Sequence, residues 1–421
     1  EYAKTQFGET SGVCLATGEK TVIARTHPSI RGVRGAQSSG AAIVSFNDRA
    51  YESYGRAQSY NAPVGAAAAD KYAKVLGYLL KNGRNSVGIA DTNIVFWCET
   101  PSVLEDSMST LFGRKDIHVT DQRIARFLTA LRRGEPVEEF DKDRAFFILG
   151  LAAPSQSRLT IRYWYSTTTG YLAERLREHL DDTKVVATTS DEILTPSVWQ
   201  YLVAVSRRGE SQNIEPRMKE SLVRSILLGT NYPRRLFVEA LERIRVGDEA
   251  RTVYRDWRAG LIRGYLVRRY RDADTRRLTR EVPVELNQDL ENTAYQLGRL
   301  FAVYEQVQRA AAGRRELNRT IKDRFYAAAS THPARSFVVI QKLSNANQKK
   351  LAVSQRVYYG NLLDEIYGRV DARHYPKALS LDEQGFFALG YHHQRKALFT
   401  RRTDSEGEEE HEYGGADRTA V

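Results

Sequence analysis

Apolar and polar positions alternate in three successive regimes along the 421 residues. Up to residue 60 the apolar runs are short, Val13–Leu15, Thr21–Ile23 and Ala42–Phe46, with Gly or Pro between them. Such spacing predicts short strands and turns. From Pro63 the period lengthens: PVGAAAADKYAKVLGYLLKNG sets Tyr72, Val75, Leu79 and Leu80 on one helical face, with Gly83 as its stop. Asp91–Cys98, DTNIVFWC, is short, β-branched and almost wholly apolar, which predicts a buried strand with Trp97 in the core. Ser102–Leu131 is helical and loop-like, and RRGEPVEEFD is a polar linker broken at Pro136. Beyond it, Phe146–Leu151 and Arg158–Tyr165 read as a hairpin about the turn Ala153–Ser157. Strict alternation places Leu159, Ile161, Tyr163 and Tyr165 on one face and Arg158, Thr160, Arg162 and Trp164 on the other.

The third regime is helical. Tyr171–Leu180 is a helix with a charged face, and from Thr195 onward helical spacing dominates: Leu222, Ile226 and Leu227, then Leu236, Leu241 and Ile244, then Leu261, Tyr265 and Leu266. EVPVELNQ, with Pro283, interrupts it. Five further amphipathic helices follow, carried by Tyr295, Leu300, Phe301, Tyr304 and Val307; by Ile321, Phe325 and Ala328; by Phe337, Ile340 and Leu343; by Leu362, Ile366 and Val370; and by Phe386, Phe387 and Ala397 behind a Ser380–Glu383 capping box. The expected class is α+β: a β-containing N-terminal part, a predominantly helical region and a C-terminal helical bundle. Boundaries fall at residues 1–194 (mixed α/β), 195–284 (basic helices), 285–403 (a bundle able to close its own core) and 404–421. That last stretch, acidic and without apolar period, is expected to be disordered.

Composition narrows the class. A 42% hydrophobic fraction is enough for real cores, and no run of eighteen apolar residues occurs, which argues against membrane insertion. The start, EYAKTQFGET, has neither the basic nor the apolar region of a secretion signal. Cys14 and Cys98 make neither a disulfide framework nor a four-cysteine zinc site, so free thiols and a cytoplasmic location are expected. Sixty-three Lys and Arg against 52 Asp and Glu leave a formal charge of +11, which calls for a polyanionic partner or a basic face. Most of the excess sits in Arg207–Arg280, with 19 basic and 10 acidic residues, a difference of +9. Its preference for Arg over Lys suits phosphate contact, although solvated arginine-rich helices have the same composition.

The densest candidate chemistry lies at Ile30–Ser45, where Arg31, Arg34, Gln37, Ser38 and Ser39 stand among Gly32, Gly35 and Gly40. Glycines let backbone N–H groups approach a ligand, arginine offers a fork for phosphate, and Gln37 suits a base edge or a backbone carbonyl. An ordinary Gly/Ser loop with its arginines in water is the other reading. The spacing is neither a Walker A loop, nor G-x-G-x-x-G, nor G-x-S-x-G. Arg49, Tyr51, Tyr54, Arg56 and Tyr60 then interleave cations with aromatics, which suits unpaired bases as well as plain packing.

GVRGAQSSGAAIVSFN, followed by AYESYG and NAPV, resembles the large subunit of the type I-C CRISPR Cascade complex. The likeness continues through CLATGEK, DTNIVFWCE, RLTIRYW, GTNYPRRLF and SLDEQGFFALGYHHQRKALF, nearly the whole chain. That family carries an additional N-terminal region, so the chain, beginning at Glu1, reads as truncated there. The resemblance implies a non-catalytic DNA-binding subunit that contributes to recognition of the protospacer-adjacent motif, stabilises the displaced strand and recruits a helicase-nuclease. Its implied partners are double-stranded target DNA and the displaced DNA strand, the backbone and guide-end subunits that hold the CRISPR RNA, and small-subunit copies. The C-terminal bundle would itself resemble the small subunit, which the family also makes separately from an internal start. Nucleic-acid contacts are expected at Arg31, Arg34, Gln37, Ser38, Ser39, Arg56, Arg234, Arg235, Arg268, Arg269, Arg319 and Lys322. Arg263 and Arg299 carry similar charge in the same regions.

No catalytic residue, cofactor or metal site is expected. The eight histidines are scattered, and His392 and His393, adjacent on a helix, point about 100° apart and cannot share one metal. Neither HExxH nor a zinc-deaminase signature occurs, and the pairs Asp181–Asp182 and Glu138–Glu139 are consecutive, as in solvated turns. The competing class is a metal-dependent nuclease whose acidic site is not readable as a motif.

Overall fold

The computed structural model describes residues 10–89, 91–113, 122–133, 135, 141–188, 193–194, 196–247, 251–313, 315, 317–370 and 375–413. The α+β class holds. Two compact units divide the chain: Glu1–Arg177 with Ser197–Trp199, and Glu178–Pro196 with Gln200–Val421. This division differs from the boundaries expected at 194 and 284, and the basic helices and the C-terminal bundle fall in one unit. The linker expected at RRGEPVEEFD lies mostly outside the described residues.

In the first unit, β1 (Ser11–Val13) pairs with β2 (Lys20–Val22). Four strands, β3 (Ser86–Ile89), β4 (Thr92–Cys98), β5 (Ala145–Ser155) and β6 (Arg158–Thr168), form an antiparallel sheet in chain order. Helix α1 (Ala66–Lys81) closes one face, its Ala73, Leu76, Leu79 and Leu80 packing with Val95, Leu149, Leu151 and Leu159. The buried stripe is rotated from the expected one, since Leu76 is inside and Val75 is 55% exposed. Helix α2 (Val103–Phe112) packs beside β3 and β4, and α3 (Gln122–Arg133) packs against α2. A capping box starts α2: Leu104 N donates to Ser102 Oγ (3.2 Å) and Ser102 N to Glu105 Oε2 (2.9 Å).

Three expectations fail here for identifiable reasons. Ala42–Phe46 is not a strand; it makes a single isolated bridge, Ala42 with Arg158, because the chain is leaving the loop closed by the bridge of Ile30 with Ala41. On β6 the alternation breaks between Ile161, opposite Leu151, and Tyr163, opposite Gly150, leaving Arg162 as a bulge. One extra residue exchanges the faces, so Trp164 joins Leu159 and Ile161 while Tyr163 and Tyr165 turn away. Trp97 is accordingly only partly buried: it stacks at 5.5 Å on Phe147 beside Trp164, which is itself 50% exposed.

The second unit is built from helices. Helix α4 (Thr169–Asp182) enters it at Glu178, β7 (Val185–Val186) pairs with β8 (Ile193–Leu194), and α5 (Val198–Val205) enters it at Gln200. Then come α6 (Pro216–Leu228), α7 (Arg234–Arg245), α8 (Val253–Arg269), α9 (Thr293–Ala312), α10 (Ile321–Ala329), α11 (Pro333–Gln348), α12 (Val353–Tyr367) and α13 (Leu381–Tyr413). At its centre α9 and α13 touch backbone to backbone, where a Cβ on Gly298 would stand 2.8 Å from Tyr391 N and 2.9 Å from Phe387 C. The other side of α13 meets α7 and α8, with Gly385 against Phe237 and Leu266. Val282 is buried and Pro283 O accepts from Arg263 Nε (3.2 Å), so the segment read as a break is docked on α8. On α10 and α12 Ile321 and Ile366 are buried as expected, as is Val370 just beyond α12, while Tyr326, Ala329 and Leu363 take the buried places expected for Phe325, Ala328 and Leu362. Helix α13 continues to Tyr413, into the stretch expected to be disordered, where Glu408–Glu410 supply helix propensity without an apolar face. Residues 414–421 lie outside the described residues.

Candidate nucleic-acid interface

The glycine-bearing stretch is a closed loop. Ile30 and Ala41 exchange both backbone hydrogen bonds (2.9 and 3.0 Å), bringing its ends together. Gly40 makes that closure possible: its φ is 97°, and a Cβ there would stand 2.8 Å from Ile30 O. Inside the loop Ala36 N donates to Val33 O (3.2 Å) and Gly40 N to Gln37 O (2.9 Å). Two anchors fix the loop to the sheet: Arg34 N donates to Asn93 Oδ1 (2.9 Å), and Gln37 N to Gln156 O (2.9 Å). Arg31, Arg34, Gln37, Ser38 and Ser39 are all exposed. Their side chains are not all idle, however. Arg31 Nε donates to Ser39 O (3.4 Å), Gln37 Nε2 to Gly40 O (3.1 Å), and the Arg34 guanidinium lies over Gly88, where a Cβ would be 2.6 Å from its Cζ. Gln37 keeps its amide oxygen for an outside donor.

The β5–β6 turn joins this loop to the aromatic–basic segment. Ala42 N donates to Ser157 O (3.2 Å) and Leu159 N to Ala42 O (2.9 Å). From the same turn Arg158 reaches Asn47, donates to the Tyr51 hydroxyl (3.1 Å) and lies 4.8 Å from the Tyr51 ring centre. Residues 47–61 are tied up by Asn61, which accepts from Ser53 N (3.0 Å) and donates to Arg56 O (2.7 Å) and Gln58 O (2.9 Å). Arg49, Tyr51, Tyr54 and Arg56 face solvent, whereas Tyr60 is half-buried. The first unit thus carries two rigid, adjacent loops with exposed cations on one turn.

Over residues 1–399 the chain matches the family described as CRISPR-associated protein (Cas_Csd1). It belongs to that family. No curated protein matches it. Membership makes this Cas_Csd1 chain a component of a CRISPR Cascade assembly, and no helix among the described residues is long and apolar enough to cross a membrane.

In the second unit of this Cas_Csd1 protein the basic residues divide sharply. Arg234, Arg235, Arg269 and Arg319 are exposed, although Arg235 pairs with Glu215 (2.8 Å) and Arg269 with Asp382 (3.7 Å). Arg268 corrects the sequence reading: it is 3% exposed, pairs with Asp182 (2.7 Å), donates to Ser225 O and Thr230 O (both 2.7 Å) and covers the Tyr232 ring at 4.1 Å. Arg271 pairs with the same Asp182. Arg263 is buried too, with Nη1 on Asp181 O (2.6 Å) and Asp182 O (2.7 Å). Lys322 is buried beside the Tyr391 ring, and Arg299 is fully buried against Glu365 (2.7 Å) and Gln394 (2.9 Å). These side chains are used within the fold: Asp182 matches Arg268 and Arg271, Glu365 matches Arg299, and backbone carbonyls take up the Arg263 guanidinium.

The histidines follow the same logic. His179, beside the Tyr232 hydroxyl, is pushed down to about 3 by burial and by Arg268, and burial with neighbouring cations also lowers His393. His393 Nδ1 lies 3.0 Å from the Tyr295 hydroxyl, and His392 Nε2 donates to Val186 O (3.2 Å). Both are core residues. Among the described residues no group of three or more His, Cys, Asp or Glu side chains converges as a metal site. What sequence reasoning missed is the role of the β5–β6 turn: the pattern marks a hairpin there, and only long-range pairing shows that Gln156–Arg158 holds both loops.

Proposed function

We propose that this Cas_Csd1 chain is the large subunit of a type I-C Cascade complex and binds target DNA without cutting it. In this reading the first unit lies against the duplex at the protospacer-adjacent motif, the second adds sequence-independent affinity for the displaced strand, and the assembled surface recruits a helicase-nuclease. Its partners are the backbone and guide-end subunits and small-subunit copies, in the cytoplasm. Beyond family membership, one observation carries the proposal: the loops 30–41 and 47–61 are fixed to a single β-turn, where exposed Arg31, Arg34, Arg49 and Arg56 flank backbone held for close approach. Nothing among the described residues favours the nuclease alternative.

Phosphate contacts position a protein on DNA and base contacts specify the sequence. Replacing Arg31 or Arg34 by Ala in the assembled complex is therefore expected to weaken binding equally for matched and mismatched motifs. Gln37→Ala is expected to cost about 1–3 kcal/mol on the matched motif alone, through the amide oxygen left free. Filter binding against matched and scrambled motifs decides. Wild-type affinity in all three variants would sink the assignment of the loop. For the second unit, replacing Arg234, Arg235 or Arg269 by Ala is expected to flatten the slope of log K against log salt. The change is about 0.9 on duplex, or about 0.7 on single strands, for each phosphate that the side chain neutralised.

A further inference from the structure

Tyr54 is the most conspicuous side chain that the fold itself does not need. It is 99% exposed, its φ is 50°, and the next residue, Gly55, has a φ of 68°. With Arg56 N donating to Ser53 O (3.0 Å), the two central residues form a I′ turn. That turn favours Asn or Gly at its first central position; a bulky aromatic residue adopts left-handed backbone only against steric resistance. Here the ring recovers nothing from packing. The turn is nonetheless held firmly, because Asn61 clamps Ser53, Arg56 and Gln58 from behind. A strained residue that contributes to no core, on a clamped turn, is an arrangement for presenting a ring.

We infer that Tyr54 is a stacking platform for an unpaired nucleobase, with the neighbouring arginines on the flanking phosphates. The inference rests on the DNA-binding reading above. Charge favours this ligand over a protein pocket: Arg31, Arg34, Arg49, Arg56 and Arg158 surround the two loops and their common turn, against Asp48 and Glu52, and Asp48 is engaged in capping Ala50 N (3.0 Å). A nucleobase has a π face whatever its identity, so the contact is blind to sequence and reports only that a base is unpaired. It would favour opened DNA over closed duplex beside the glycine loop.

The test uses the assembled complex and target DNA with a bubble, scanned by single abasic sites through the unpaired positions. One abasic position is expected to weaken the wild type by roughly 5- to 150-fold, the range of one base–aromatic stack. Tyr54→Gly is expected to show the same loss on intact DNA and no further loss at that position, whereas Tyr54→Phe binds as wild type. Because Gly relaxes the turn, Tyr54→Gly should melt at or above the wild-type temperature, which separates lost stacking from lost folding. Equal binding by wild type and Tyr54→Gly at every position overturns the platform and leaves the DNA-binding reading standing. Failure of Tyr54→Gly to enter the complex while melting normally also overturns it, since Tyr54 would then anchor a partner subunit. A wild-type complex that does not bind DNA at all overturns the broader reading, and this inference with it.

Discussion

Replacing Gly298 or Gly390 by Ala tests the packing of the second unit, because intrinsic propensity and tertiary contact act in opposite directions there. In an open helix Gly→Ala gains about 1 kcal/mol. At Gly298 the new Cβ would stand 2.8 Å from Tyr391 N and 2.9 Å from Phe387 C; at Gly390 it would stand 2.9 Å from Tyr295 C. These are backbone atoms, so no rotamer change relieves the clash and the two helices must separate. Separation loosens Tyr295, Leu297, Phe301, Phe387 and Tyr391, all buried along this contact. Overpacking of a rigid core costs about 1–3 kcal/mol, so after the propensity gain a net loss of up to about 2 kcal/mol is expected from either substitution. The double variant should lose less than the sum, since the second methyl enters a gap the first has opened. Gly360, in α12, and Gly77, in α1, have nothing within 4 Å of an added Cβ, so Ala at either is expected to stabilise by up to about 1 kcal/mol. Urea unfolding of the five variants checks the set. Gly298→Ala as stable as Gly360→Ala would refute the close helix contact.

Three further outcomes follow from the charge and loop geometry. Arg268→Met leaves buried Asp182 with Arg271 alone and is expected to destabilise by about 3 kcal/mol, whereas Arg269→Ala, at an exposed side chain, should fall within about 0.5 kcal/mol; urea midpoints distinguish them. His179 and His393 are held neutral in the fold, so below the unfolded value near 6.5 the unfolded chain binds protons that the native chain does not. Stability is then full above about pH 7 and falls on acidification, by about 1 kcal/mol per histidine between about pH 7 and about pH 5.5, and His179→Asn should flatten the pH dependence of the melting temperature. Gly40→Ala, at a φ of 97° and 2.8 Å from Ile30 O, is expected to spring the loop and expose residues 31–39 to limited proteolysis; an unchanged digestion pattern would show that the closure is not tight.

Periodicity makes the elements legible but not the faces they bury. Helix α1 and strands β4, β5 and β6 fall where the apolar pattern puts them, because burial on one side leaves a period in the sequence. The bulge at Arg162 leaves none, and a single unpaired residue sends Trp164 to the face predicted for Tyr163. Similarly, the apolar positions on α1 allow Val75 or Leu76 to point inward, and contact with Leu149 and Leu151 on a distant strand chooses Leu76. The glycine loop is visible as a loop through its glycines. That Gln37 Nε2 turns back onto Gly40 O is not, because the bond depends on a turn set by positive φ at Gly40.

The basic stretch shows why a charge count misplaces a binding surface. Arg207–Arg280 holds 19 basic residues, yet Lys219, Arg255, Arg258, Arg263 and Arg268 are buried. A guanidinium can enter a core where carbonyl oxygens and a carboxylate converge on its fork, and Asp182 with the carbonyls of Asp181, Asp182, Ser225 and Thr230 supplies such a place for Arg263 and Arg268. An arginine there is the cross-link of α4, α6 and α8 and is out of reach of a phosphate. The positions left to meet a polyanion are the exposed ones, among them Arg217, Arg224, Arg234, Arg235, Arg251 and Arg269. Of these, Arg235 already faces Glu215 and Arg269 faces Asp382, so each phosphate bond made there displaces a carboxylate. If the proposed DNA-binding reading holds, affinity from this stretch scales with the cations its surface can turn outward, so the variant series that tests it is built on exposure, since one built on sequence clustering would scatter into the core.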